Sequence, residues 1–302
     1  MSAPAAATGQ VHDLGYKRYA GARLSMARRW RVVMRNQLAT SWKTWWRYKA
    51  ALGLAVITTC IAGGVMVVFS DKIVRGVIGV AAVTLADAAL PTSIAWYSRA
   101  AFLVTLTIGA RVIASDHRSG AFTFYFARSV RPRDYVLGKL GAMAALMALI
   151  FIAGPLVLAL VRLGLADDVD QLVAMLDLVP RALAIGLLGT LVFATVPVAF
   201  STLVHQPRHA MALWATYYLV FGGVVSALGY SDSASWLGAL DLPTALDAVA
   251  YALFDLRAFP GRASHLAPDV ALVSLLAHTA VAVTIAAYQA RQARGRGVGG
   301  AS

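Results

Sequence analysis

The residues that could do chemistry in this chain are few, and their spacing does not fit catalysis. No GxxxxGK[ST] run is present, because Gly138-Lys139 lacks the upstream glycine and the following Ser or Thr, so no backbone cradle for nucleotide phosphates is encoded. There is no GxSxG elbow and no HExxH pair, and no two carboxylates face one another within an apolar run. His205 and His209 are spaced like a helical metal pair, but Pro207 between them breaks the face such a pair needs. The single cysteine, Cys60, lies inside an apolar run, which excludes an intrachain disulfide and reads as a small core side chain. What remains is one polar stretch, residues 115–139, SDHRSGAFTFYFARSVRPRDYVLGK. It carries Arg118, Arg128, Arg131, Arg133 and Lys139 against Asp116 and Asp134, with Phe122, Phe124, Tyr125 and Phe126 between them. Cations and aromatics mixed in this way suit a protein–protein contact rather than bond-making.

The elements that hold this stretch are apolar. The chain has 302 residues, 59% of them hydrophobic and only 14% charged, and its mean hydropathy is +0.68. A soluble domain carries nearly twice that charge fraction, about 25%. Runs of about 18 or more apolar residues recur, each long enough to cross a bilayer as a helix. The fold class is therefore all-α and polytopic, with spans expected at 50–69, 94–114, 140–161, 182–203, 211–228 and 270–287. Residues 1–23 read as a disordered, polar tail, 24–290 as the membrane domain and 291–302 as a basic C-terminal tail.

Within that domain, residues 24–48 carry Trp30, Val33, Met34, Leu38, Trp42, Trp45 and Trp46 at helical spacing, with cations elsewhere on the wheel. This pattern describes a helix lying in the membrane interface, in contact with lipid headgroups. Residues 77–90 are apolar but short and hold Asp87, so they read as interfacial or re-entrant rather than spanning. Arg99 falls near the outer end of the 94–114 run and Arg111 near its inner end, where both can snorkel. Gly154-Pro155 predicts a kink in the third span. Residues 229–268 form a long outer segment, in which the amphipathic stretch 237–254, interrupted by Pro243, reads as one or two re-entrant or surface helices.

Net charge is +13, yet its distribution argues against nucleic acid as a partner. Ten of the 27 cations precede the first apolar run, and 20 fall on the face that also carries the 115–139 loop and the C-terminal tail. An excess of Lys and Arg beside spans marks the cytoplasmic side, so both termini and that loop are expected there.

The 115–139 stretch resembles the cytoplasmic elbow of the type-two ABC exporter permeases. Asp116 takes the acidic position that closes the second span, Gly120-Ala121 the small pair, Arg131-Pro132-Arg133 the proline turn and Gly138-Lys139 the opening of the third span. The family commonly has Gly-Thr where this chain has Gly-Ala. With the six-span layout, the resemblance covers about residues 25–290. It implies a permease subunit of a transporter, exporting an unknown substrate across the cytoplasmic (inner) membrane of a bacterium. It also implies a second permease subunit, homo- or heterodimeric, and separate ATP-binding-cassette ATPase subunits that hold the ATP. The permease itself would then be no enzyme and need no cofactor. Under that resemblance Asp116, Arg118, Gly120, Phe122, Phe124, Tyr125, Arg128, Pro132 and Arg133 form the ATPase-coupling interface. The competing class is an ATPase-independent secondary transporter or a membrane scaffold. A carrier of that kind needs ionisable groups buried mid-membrane, and His278 in the sixth span is nearly the only one in evidence.

Overall fold

The structure is a computed structural model that describes residues 28–43, 46–127, 130–256 and 262–299. The tail at 1–23, Arg128 and residues 300–302 lie outside the described residues. Helix α1 (Arg29–Lys43) precedes α2 (Trp46–Ser70). Asp71 caps α3 (Lys72–Ile78) by accepting from the backbone N–H groups of Ile73 and Val74. Then come α4 (Val80–Thr107), α5 (Ala114–Arg118) and α6 (Ala121–Ala127). They are followed by α7 (Pro132–Phe151), α8 (Ala153–Gly164), α9 (Val169–Ala174) and α10 (Leu178–Leu203). The chain closes with α11 (Pro207–Ala215), α12 (Gly222–Leu228), α13 (Leu242–Leu253) and α14 (Pro268–Gly299).

Among the described residues, six helical stretches are long and apolar enough to cross a membrane: Tyr48–Ser70, Val80–Arg118, Pro132–Gly164, Val169–Leu203, Pro207–Leu228 and Pro268–Gly295. The fourth is the central post, 72% of its apolar window being buried, against 22% for the first, fifth and sixth. It packs against α7 on one side and α14 on the other, while α2 runs along α4. The peripheral spans therefore present apolar outer faces, as lipid-facing helices must. Cys60 lies on such a face and is exposed, not in the core.

The 77–90 stretch is no separate interfacial piece. From Val80 it is the first half of α4, which runs unbroken through Pro91 to Thr107. The reason is the partner of Asp87. Arg162 of α8 donates through Nε (3.0 Å) and Nη2 (2.7 Å) to Asp87 Oδ1, and its guanidinium also meets the Ser70 hydroxyl at 3.4 Å. A carboxylate that would be costly alone in lipid is thus neutralised where three spans converge. The longer α4 also moves Arg99 away from a span end. It stands about 12 Å from the Thr107 end of the helix and roughly 28 Å from the Val80 end, in the span interior. The expected kink in the third span is present as the break between α7 and α8, just ahead of Gly154-Pro155.

Each end of the bundle has its own ion pairs. At one end Lys72 and Arg75 meet Asp167 at 3.7 and 3.0 Å. Arg75, hydrogen-bonded to it, holds the Asp167 carboxyl below its usual range. At that end Arg181 also joins Asp177 (2.6 Å) and Asp255. The other end carries α5, α6 and the turn before α11, where the His117 and His205 rings approach to 4.9 Å. The outer segment is a short 3-10 stretch (Asp232–Leu240) followed by α13, with Asp241 capping α13 and Pro243 in its first turn. It is tied inward by Ser274 Oγ donating to the Ala239 carbonyl (2.6 Å) and by the Thr92 and Tyr251 hydroxyls, 2.6 Å apart.

Candidate coupling elbow

Between α4 and α7 the chain turns back on itself in four short steps. After Thr107 the helix gives way to a 3-10 turn, Gly109–Arg111. Two backbone N–H groups at the start of the next turn, Ile113 and Ala114, both donate to Ser201 Oγ of α10 at 2.9 Å. Helix α5 ends at Arg118, and Gly120 just beyond its cap has a left-handed φ of 67°. Glycine takes that conformation without the penalty of roughly 1 kcal/mol that a β-carbon imposes. Helix α6 follows, and Pro132 starts α7 with its fixed φ where no N–H is needed.

A buried polar knot fixes this elbow. The Lys139 ammonium, with its side chain 4% exposed, pairs with Asp116 Oδ2 at 2.7 Å. It also donates to Gln37 Oε1 of α1 (2.8 Å) and to the Val112 carbonyl (3.3 Å). Those three partners match its three donors. The Tyr135 hydroxyl donates to the same Asp116 oxygen at 2.6 Å. One cluster therefore joins α1, the end of the second span, α5 and α7. Close approach of α1 depends on Gly138. A β-carbon there would lie 2.5 Å from Val33 Cβ and 2.8 Å from the Trp30 carbonyl.

The aromatic residues are arranged differently from the sequence expectation. Phe122 and Phe126, each 8% exposed, point into the protein. Phe122 packs on Tyr135 (5.2 Å between ring centres), on Phe126 (5.6 Å) and on His117 (4.4 Å). Tyr125 and Phe126 complete the cluster around Tyr135 at 5.4 and 6.0 Å, and α6 as a whole lies against α14. Positions 122 and 126 share one face of a helix, and the neighbouring spans cover that face. These two rings are internal packing, not an exposed grip. Asp116 and Pro132 are likewise turned inward, whereas Arg118, Gly120, Arg131 and Arg133 are exposed along the rim. Phe124 belongs to the backbone of α6, and Arg128 lies outside the described residues.

Sequence reasoning overlooked Gln37 and Ser201 and gave Lys139 and Tyr135 no role. Gln37 had a signal: it interrupts the face marked by Val33, Met34 and Leu38, and a polar residue on an apolar face asks for a buried partner. The face itself is only partly interfacial. Trp30, Val33 and Met34 pack on Gly138 and Gly141 of α7, while Trp42 and Trp46 remain exposed.

Among the described residues, six helices long and apolar enough to cross a membrane, with a polar elbow at one end, define an all-α, multi-pass membrane protein. The sequence model of the family described as ABC-2 family transporter protein matches residues 51–289, and the chain belongs to that family. It is thus a membrane permease component of an ABC transporter, a kind of protein that works with an ATP-binding subunit. No curated protein matches the chain.

Proposed function

We propose that the chain is the permease subunit of a bacterial inner-membrane exporter, with the elbow end facing the cytoplasm. A separate ATPase subunit presses on α5 and α6, and two permease subunits frame the path. ATP is bound and hydrolysed on the partner. The observation that carries this reading is the Asp116–Lys139–Tyr135 knot, which makes the elbow one stiff piece with the second and third spans. A lever of this kind transmits work only if the partner's two conformations engage it differently. Its exposed cations, Arg118 and Arg133, supply the contact for an acidic groove on the ATPase. Phe124, in the same helix, stays among the proposed contact residues.

The test is charge reversal at the rim. Arg118→Glu with Arg133→Glu is expected to weaken co-purification of the ATPase subunit at least about tenfold and to lower transport-coupled hydrolysis. Membrane insertion should be unaffected, because the spans are untouched. Unchanged co-purification and turnover would mean that the elbow lies idle in the headgroups.

A further inference from the structure

A cavity of about 650 Å³ opens between the second span, the fifth span and α13. Its walls include Phe102 and Leu103 from α4, Tyr218 and Leu219 from the fifth span, and two opposite charges, Arg99 and Asp247. Among the described residues neither charge is held in a hydrogen-bonded ion pair, although the two lie within electrostatic reach of each other across the cavity. The Arg99 guanidinium rests 4.4 Å over the ring of Trp96 on its own helix, and its ordinary counter-ion is missing among the described ion pairs. Asp247 Oδ1 is buried with no hydrogen-bond partner. A third charged group on the wall, Asp241, is engaged in capping α13 and in bonding Thr244. Charges at membrane depth are costly, and two opposite ones that face a common cavity without direct contact leave room for a ligand to give each a close counter-ion.

We propose that this cavity binds an amphiphile whose head group carries both an ammonium and a phosphate, the ammonium facing Asp247 and the phosphate facing Arg99. A purely anionic head would leave Asp247 opposed by like charge, and a purely cationic head would do the same to Arg99. Only a head bearing both charges gives each side chain a counter-ion. The volume suits a head group with the first carbons of its chains. Leu103 and Leu219, 46% and 58% exposed, leave an apolar opening through which hydrocarbon can extend. That this amphiphile is also the transported substrate rests on the permease reading above. Binding to the isolated chain does not, so failure of ATPase docking and failure of this site are separable.

The experiment is native mass spectrometry of the full chain released from vesicles. Phosphatidylethanolamine, phosphatidylglycerol and dodecylamine serve as the probes, and soluble O-phosphoethanolamine as a chainless competitor. Retention of phosphatidylethanolamine about tenfold above phosphatidylglycerol is expected. Asp247→Asn should remove that preference, and Arg99→Gln should lower phosphatidylethanolamine retention about tenfold. Equal retention of the two lipids by the unsubstituted chain would overturn the proposal, leaving annular lipid only. Tighter dodecylamine binding in Arg99→Gln with phosphatidylethanolamine unchanged would overturn it in favour of a simple cation. Competition by O-phosphoethanolamine as effective as by the lipid would overturn the amphiphile assignment.

Discussion

Lys139 carries a large share of the local order. A lysine without bulk water holds its charge only if its donors are met, and Asp116, Gln37 and the Val112 carbonyl meet them. Removing one partner of such a pair leaves the other charge stranded, which typically costs about 3–5 kcal/mol, whereas removing both costs far less. Asp116→Asn and Lys139→Met should therefore each lower the melting temperature of the detergent-purified chain. The double variant should recover most of the loss. Additive losses in the double variant would show that the two residues act on separate structures. Asp116 was legible in the sequence as the acid that closes the second span. Its partner was not, since Lys139 is 23 positions further on, across a loop whose path the sequence does not reveal.

At the scale of elements, α1 works less as a raft in the headgroups than as a clamp on α7. Gly138 and Gly141 form the groove it occupies, a β-carbon at 141 falling 3.4 Å from Met34 Sδ. In a Cys60→Ala background, the pair Met34→Cys and Gly141→Cys should cross-link readily under mild oxidation in membranes. Adding Gly138→Val should suppress the cross-link, because the new side chain forces α1 outward. Efficient cross-linking despite that change would mean α1 is not seated at this groove. The spans themselves were readable because length and hydropathy suffice for them. Residues 77–90 were misread because Asp87 looked unpaired, and its partner Arg162 stands 75 residues away. The same limit explains the aromatic loop. Phe122 and Phe126 are set inward by Tyr135 and α14, neither of which a local pattern contains.

For the whole molecule, the distribution of charge decides which end faces which compartment. Six crossings bring the start of the first span and the end of the sixth to one end of the bundle. That end holds the elbow with Lys139, Arg118, Arg131 and Arg133, while Asp167, Asp177 and Asp255 occupy the other. Lys and Arg beside spans resist translocation and Asp does not, which is the ground for proposing that the elbow end faces the cytoplasm. Cysteine substitutions read this directly in a Cys60→Ala background. Ser119→Cys, on the exposed tip of the elbow, should stay unmodified by an impermeant thiol reagent in intact cells and react once the cells are lysed. Ser264→Cys, exposed in the segment before α14, should react in both conditions. The lysed sample guards against a cysteine that is merely occluded by packing or by a bound subunit. Labelling of Ser119→Cys from outside would invert the molecule, and an ATPase could then no longer reach the elbow.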